Sequence, residues 1–143
     1  MYGSLDISVG GMVAQRTRLN TIAANIANSN ATRDADGNLS PFKRKIAVLM
    51  SGDPGARNGR ARELGVHVKA IVEDQGKPRL RWAPNHPDAQ PEGSPDAGYV
   101  RLPNIHGPTE QINAMEAQRA YEANLAVADA FKSMVSQALR LLG

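Results

Sequence analysis

The chain has 143 residues, a formal net charge of +3 and 41% hydrophobic residues. This length allows one ordinary domain, or a small domain with extended arms. The sequence contains no cysteine, which excludes disulfides, thiolate zinc sites and cysteine nucleophiles. Only 4% of the residues are aromatic, and large rings supply much of the buried area of a compact core. Several shallow cores are therefore expected instead of one deep core.

The positive charge is concentrated in the middle of the sequence. Residues 42–82 hold ten Lys/Arg and four Asp/Glu, whereas residues 83–143 hold four and seven. No RNA-binding aromatic motif or zinc-finger spacing accompanies the basic segment. A solvated face or a patch for an acidic protein is therefore favoured, and no nucleic-acid partner is predicted. A basic coiled-coil protein that binds nucleic acid is the alternative.

No apolar run approaches the roughly 20 residues that cross a bilayer, so no membrane-spanning segment is predicted. Near the N-terminus, Asp6, Gln15, Arg16 and Arg18 interrupt any apolar stretch of the kind found in a signal peptide. The protein is therefore expected in the cytoplasm, or it is exported by a route that needs no cleaved signal.

An amphipathic helix is predicted for residues 4–28, and the polar residues 28–30 end it. Gly10 and Gly11 interrupt this helix, each at a cost of about 1 kcal/mol relative to alanine. The glycine pair indicates either a weak first part of the helix or the close approach of another helix backbone. The apolar stripe repeats every seven residues and consists of Leu5, Met12, Leu19 and Ile26, with Val9, Ile22 and Ala23 beside it.

Short strands are predicted in the middle of the sequence, where apolar and charged residues alternate. In the second of them, Val66, Val68, Ala70 and Val72 share one side, and His67 is expected on the exposed side. Segments rich in Gly, Pro or Arg separate the strands and are predicted to be surface loops. The predicted strands cover residues 42–50, 66–72, 79–82 and 98–102, and the loops cover residues 51–64 and 83–97.

The longest predicted element is a helix from Thr109 to Leu142, a stretch without Pro or Gly. Thr109 is expected to cap its start, and Glu110 is expected at the positive end of its dipole. A coiled-coil-like seam with alternating three- and four-residue steps consists of Ala114, Ala117, Tyr121, Asn124, Ala128, Phe131, Val135, Ala138 and Leu142. Apolar residues off this seam, which need a further neighbour, are Ile112, Met115, Leu125, Met134, Leu139 and Leu141.

Residues that could support catalysis or bind a metal do not form a recognisable pattern. His67, His86 and His106 lack helical ligand spacing such as H-E-x-x-H. Glu73 and Asp74 are adjacent in a predicted strand, which directs them to opposite faces. The protein is therefore predicted not to be an enzyme, with no catalytic residues, no cofactor and no metal site.

The terminal helices and the middle carry motifs that are similar to those of a known family. The motif LNTIAANIAN at residues 19–28 resembles the N-terminal signature of bacterial flagellar rod and hook proteins. The stretch from Gly65 to Asn104, together with Met115 and residues 118–124 (QRAYEAN), resembles a subunit of the proximal rod of the flagellar basal body. The resemblance covers nearly the whole chain, and only the loops at residues 52–63 and 90–97 depart from the pattern.

The resemblance implies a structural subunit of the flagellar drive shaft that transmits torque, lines the export channel and supports motility. Such a subunit is secreted by the flagellar export apparatus without a cleaved signal and assembles in the periplasm. Its implied partners are copies of itself and neighbouring rod proteins. Another flagellar axial protein, a rod subunit or adapter, is the alternative within the same class.

The fold is predicted to be α+β, with long terminal helices that pack as coiled-coil-like arms around a small, mainly antiparallel strand-rich domain. The arms cover residues 1–30 and 108–143, and the inserted domain covers residues 31–107. Whether the arms pair with each other or with neighbouring subunits is left open. The predicted assembly interface consists of Leu5, Met12, Leu19, Ile22, Asn25, Ile26, Asn28, Met115, Tyr121, Asn124, Leu125, Phe131, Val135 and Leu142. For Asn25 and Asn28, hydrogen bonds that end the helix are the simpler alternative.

Overall fold

A computed structural model describes residues 2–55 and 59–142, apart from the side chains of residues 2, 3, 60, 61 and 142. A long helix at each end encloses short antiparallel strands, so the predicted α+β class is confirmed. The elements in chain order are α1 (Tyr2–Ala27), β1 (Lys45–Ser51), α2 (Gly59–Leu64), β2 (Val66–Glu73), β3 (Arg79–Trp82), β4 (Tyr99–Leu102) and α3 (Gly107–Leu142).

Helices α1 and α3 pack against each other in antiparallel orientation. Asn25 contacts Glu110 at one end of the pair, and Arg18 contacts Glu116 further along. Beyond these, the backbone of Gly11 lies directly beside the side chain of Asn124. In each of these three contacts the two residue numbers add up to 134 or 135, so the register of α1 against α3 is constant along the pair. The two arms therefore pair within one subunit.

The predicted seam of α3 faces α1 along most of its length. Ala117 and Ala128 are buried, and the neighbouring seam residues from Ala114 to Val135 are half-buried. Ala138 is exposed because the constant register places it beyond the first residue of α1. The apolar residues that the sequence places off the seam are all exposed in this subunit: Ile112, Met115, Leu125, Met134, Leu139 and Leu141.

The inward face of α1 differs from the predicted apolar stripe. Leu5, Met12 and Leu19 are only half-buried, and Ile26 is exposed. Apart from Ile22, small and polar residues occupy the most buried positions because α3 and the strands approach the α1 backbone closely. These buried residues are Ser8, Gly11, Ala14, Thr21, Ile22 and Asn25.

Helix α3 begins two residues earlier than predicted. The backbone N–H of Glu110 donates to the carbonyl of His106, so the helix includes Gly107 and Pro108. Proline is compatible with the first turn because its missing N–H has no partner there in any case. The predicted capping role of Thr109 is therefore wrong, since Thr109 lies within the first turn.

Strands β1 and β2 form an antiparallel hairpin that packs against α1. The register shifts between Val48 and Leu49, which leaves Lys69 of β2 without a partner in the ladder. Val68 pairs with Leu49 and Ala70 pairs with Val48, so the single alternating side predicted for β2 is interrupted at this bulge. The connection also holds the short helix α2, which corrects the prediction of a plain loop at residues 51–64.

Strands β3 and β4 form a second antiparallel pair with its own small core. Val100, Leu102 and Ile105 are buried beneath it, which agrees with the expectation of several shallow cores. Arg79 donates from Nε to the carbonyl of Pro103 at 3.0 Å and ties β3 to the segment that leads into α3. Among the described residues, no helix combines the length and apolar character needed to cross a membrane.

Candidate assembly site

A buried carboxylate at the start of α3 connects three parts of the fold. Glu110 is 1% exposed and accepts hydrogen bonds from Nε and Nη2 of Arg44, at 2.8 and 2.7 Å, on one oxygen. Asn25 of α1 donates to the other oxygen at 3.0 Å. Because an unpaired buried carboxylate is costly, both partners stabilise the Glu110 side chain in this position.

Asn25 also fixes the start of the hairpin against α1. Its side-chain amide donates to the carbonyl of Lys45, and its oxygen accepts from the backbone N–H of Lys45, both at 2.8 Å. Arg44, Asn25 and Glu110 therefore form one cluster, the Glu110 anchor, at the junction of α1, β1 and α3. The anchor holds the arms at a defined position relative to the strand-rich middle.

The two asparagines near the end of α1 have different roles. Asn28 donates to the carbonyl of Ala24 at 2.8 Å, which is the helix-ending hydrogen bond that the sequence suggested. The side chain of Asn25 is fully buried, and it bonds to Lys45 and Glu110 of the same chain instead of ending the helix.

The predicted interface residues fall into three groups. Ile22 and Asn25 are buried inside the subunit and do not lie on an outer surface. Ile26, Met115 and Leu125 are between 40% and 53% exposed and stay available to a neighbour. Leu142 lies outside the described side chains. The remaining predicted interface residues are half-buried within the subunit: Leu5, Met12, Leu19, Asn28, Tyr121, Asn124, Phe131 and Val135.

Sequence reasoning missed two features: the Glu110 anchor, and the apolar residues that are exposed on α1. Val9 and Val13 are nearly half exposed, so α1 also has an apolar outer face. Their spacing of four residues on a helix was a usable signal. The anchor had none, because Asn25 and Arg44 lie far from Glu110 in the sequence and the fold alone brings them together.

A second polar cluster fixes the loop between β3 and β4. The carboxylate of Asp88 is buried and accepts hydrogen bonds from Thr32, at 2.6 Å, and from the guanidinium of Arg33. These hydrogen bonds, with the Thr32 bond as the largest cause, hold the pKa of Asp88 below its usual value. The cluster joins residues 28–42 to the 83–97 loop.

The histidines take part in local backbone contacts. His67 is half-buried, not exposed as predicted, and its Nδ1 lies at hydrogen-bond distance from the carbonyl of Gly52. His86 accepts the N–H of Asp88 on Nδ1. Within the described part of the chain, no group of three or more His, Asp or Glu side chains is arranged to hold a metal ion.

Comparison with known proteins agrees with this arrangement of arms and middle. The family model for flagella basal body rod proteins matches residues 5–33, within α1 and the segment after it. The model for the C-terminal part of flagellar basal body rod FlgEFG proteins matches residues 96–141, which contain β4 and nearly all of α3. The two family matches therefore cover both arms.

Full-length relatives extend the similarity over the strand-rich middle. The flagellar basal-body rod protein FlgC of Borreliella burgdorferi is 33% identical over 99% of this chain and 97% of the relative. FlgC of Bacillus subtilis is 32% identical over 98% of this chain and 97% of the relative. FlgC of Aquifex aeolicus is 39% identical over 87% of this chain and 84% of the relative.

The matches to both arms place the chain in the class of flagellar basal-body rod proteins. Within that class, the chain belongs to the FlgC family. Its function is therefore structural and not enzymatic: it is a subunit of the rod of the flagellar basal body and assembles with other rod subunits.

Proposed function

We propose that this protein is a subunit of the proximal rod and contributes to a shaft that transmits torque for motility. The observation that carries the proposal is the outer face of the α1–α3 pair. Helices α1 and α3 already bury their seam within the subunit, and large apolar side chains remain exposed on both of them. Exposed apolar side chains that recur along both helices in this way indicate contacts with other subunits.

The exposed apolar residues lie on both helices, which suits contacts with more than one neighbour. On α1 the exposed residues are Val9, Val13 and Ile26, and on α3 they are Ile112, Met115, Leu125, Val127, Met134, Leu139 and Leu141. Burying a side chain of this size contributes about 1.5–3 kcal/mol. Several such contacts per subunit support an interface that withstands a twisting load.

The parts of the chain have distinct roles in this proposal. Residues 1–30 and 108–143 form the inner wall of the rod and of its export channel, and residues 31–107 lie outside them. The Glu110 anchor supports this division because it fixes the hairpin against both arms. A rigid connection is required if torque applied to the outer domain is to reach the arms.

The route to the rod is also part of the proposal. The chain passes through the flagellar export apparatus without losing a signal peptide and assembles in the periplasm. The charged residues Asp6, Arg16 and Arg18 support this route, because they lie within α1 and interrupt any apolar stretch of the kind found in a signal peptide. Intact mass measurement of the protein from isolated basal bodies tests it: a missing N-terminal segment contradicts this part of the proposal.

Assembly is tested by placing a charge on the exposed face of α3. Met115→Asp and Leu125→Asp leave the fold unchanged because both positions are exposed in the subunit. We expect both variants to be absent from isolated basal bodies and to abolish swimming in a strain that lacks its own copy of the gene. Far-UV circular dichroism of the purified proteins shows whether they are folded.

Gln111→Asp is the matched control, because it introduces the same charge at an exposed polar position of the same helix. It is expected to assemble and to restore swimming. Normal incorporation of both Met115→Asp and Leu125→Asp would contradict the proposed role of this face.

A further inference from the structure

Trp82 is a large exposed side chain that the structure holds in one orientation. It is the single tryptophan of the chain and is 61% exposed. Its ring meets Tyr99 edge to face, with centroids 4.9 Å apart and an interplanar angle of 68°. The ring also lies against Gly98, where an added Cβ would be 2.6 Å from an indole carbon.

This packing lowers the cost of binding a partner through Trp82. A side chain that is already fixed loses little conformational freedom when a second surface covers it. Gly98 contributes because its φ of +77° and its missing Cβ let the backbone pass directly beneath the indole. Tryptophan is also among the residues most enriched at the energetic centres of protein interfaces. Leu80, on the same side of β3, is exposed and extends the apolar surface.

A cleft of about 450 Å³ elsewhere in the strand-rich middle has matching properties. Its apolar wall includes Pro41 and Phe42. Lys43 and Lys45 also line it, and the Lys45 ammonium lies 5.5 Å from the centroid of the Phe42 ring. Glu73 also lines the cleft and lies 3.6 Å from the Lys43 ammonium, which leaves Lys45 as the cation beside the aromatic wall. An aromatic wall with a lysine beside it suits an indole, because tryptophan gives the strongest cation–π interactions.

We propose that Trp82 of one subunit docks into the Phe42 cleft of a neighbouring copy of this chain. The inference rests on the proposed assembly into a rod and names a specific contact within it. Because Trp82 and the cleft lined by Phe42 are different surfaces of the same chain, the contact between them is heterologous and does not close into a dimer. Such a contact repeats along a helical assembly. It also joins the outer domains without using the exposed faces of α1 and α3.

Photo-cross-linking in assembled basal bodies tests the contact. Photoreactive benzoylphenylalanine is placed at position 82, where it keeps an aromatic ring, in a strain that lacks its own copy of the gene. After irradiation, basal bodies are isolated and the cross-linked peptides are identified by mass spectrometry. We expect an adduct of two copies of this chain that joins position 82 to residues 31–45.

Variants of the cleft give a second measurement. Phe42→Ala is expected to lower the yield of this adduct at least fivefold, because it removes the aromatic wall of the cleft. Leu39→Ala, at a nearby exposed position that does not line the cleft, is expected to leave the yield unchanged. Benzoylphenylalanine at Leu64 is the negative control, since Leu64 is exposed but lies between β1 and β2 and not on the β3–β4 pair that carries Trp82.

The outcomes separate this inference from the proposed function. Incorporation of the labelled chain into basal bodies without an adduct, or with an adduct to another protein or another region, overturns the Trp82 contact and leaves the rod assignment standing. An equal yield from Phe42→Ala also overturns it. Absence of both the labelled and the unlabelled chain from basal bodies overturns the proposed function and the inference together.

Discussion

Arg44 and Glu110 form an ion pair whose carboxylate is almost entirely removed from water. The carboxylate is 1% exposed, and the guanidinium reaches it through two hydrogen bonds of 2.8 and 2.7 Å. Arg44 also lies 3.6 Å from the carboxylate of Asp74 through Nη1, so it bridges α3 and the end of the hairpin. The pair therefore decides how the strand-rich middle is held on the helical arms.

Removing the charge of Glu110 is expected to destabilise the subunit strongly. Glu110→Gln keeps the size of the side chain but leaves the guanidinium of Arg44 without its closest counter-charge. Breaking a buried ion pair in this way typically costs about 3–5 kcal/mol. The guanidinium is partly exposed and keeps Asp74 nearby, so we expect a loss of about 2–4 kcal/mol in the free energy of unfolding. Urea denaturation measures it.

Glu122→Gln is the matched control for this prediction. Glu122 is exposed on the same helix and its side chain contacts Gln118. Its replacement is expected to change the free energy of unfolding by less than about 0.5 kcal/mol. Equal effects of the two substitutions would show that the Glu110 anchor does not stabilise the fold.

The two asparagines near the end of α1 are expected to differ in their effect on stability. Asn25→Ala leaves the backbone N–H and carbonyl of Lys45 and one oxygen of Glu110 without a partner in a buried region. Unsatisfied buried groups cost about 1–3 kcal/mol each. Because the two bonds to Lys45 are only partly buried and water can replace them, we expect a total loss of about 2–4 kcal/mol.

Asn28→Ala removes one side-chain bond to a carbonyl of the same helix end and is expected to cost less than about 1 kcal/mol. Urea denaturation of both variants compares them directly. If Asn28→Ala proves the more damaging substitution, the assigned roles of the two residues are reversed.

The arms could be predicted from the sequence because their signals are local. The seam of α3 repeats every three to four residues, and the structure buries Ala117 and Ala128 of that seam as expected. The bulge at Lys69 has no comparable signal, since alternation continues through it in the sequence. Strand pairing of this kind depends on tertiary context, which overrides the local pattern.

The Glu110 anchor could not be predicted for a related reason. Glu110 was assigned to the helix dipole, which is a local role, whereas its partners come from α1 and from the segment before β1. Pairing over such separations depends on the register of α1 against α3. The assembly interface that was predicted from the sequence stays a prediction, except that Ile22 and Asn25 are buried inside the subunit.

Asp88 is expected to make stability depend on pH. Its pKa in the folded protein lies below the usual value of about 3.9, because Thr32 and Arg33 stabilise the ionised form. A group with a lowered folded-state pKa stabilises the protein above its unfolded-state pKa, and this contribution is lost as the pH falls through the folded-state pKa. The stabilisation is therefore present at pH 7 and decreases below about pH 4.

Asp88→Asn tests this dependence, because it removes the ionisable group and keeps the side-chain shape. The difference in unfolding free energy between the original protein and Asp88→Asn should be largest at neutral pH and should shrink towards pH 3. Thr32→Val, which removes only the hydroxyl donor, should give a smaller change in the same direction. A difference that stays constant from pH 7 to pH 3 would rule out this role for Asp88.

Gly11 and Asn124 should be energetically coupled across the helix pair. A Cβ added at Gly11 would lie 2.7 Å from the amide nitrogen of Asn124 and 2.9 Å from its amide carbon. That amide also donates to the carbonyl of Ala120, so it cannot move away without losing this bond. Gly11→Ala is therefore expected to destabilise the subunit, although alanine is the better helix former by about 1 kcal/mol.

The double variant Gly11→Ala/Asn124→Ala shows whether Gly11→Ala destabilises the subunit because its methyl group clashes with the Asn124 amide or because position 11 accepts no side chain at all. Without the Asn124 amide the added methyl group has room, so we expect the double variant to be more stable than the sum of the single effects by about 1 kcal/mol or more. Gly107→Ala, with no neighbouring atom within 4 Å of the added Cβ, serves as the control and should be neutral or slightly stabilising. Strict additivity in urea denaturation would mean that Asn124 does not limit the approach of the two helices, and the small-residue face of α1 would then need another explanation.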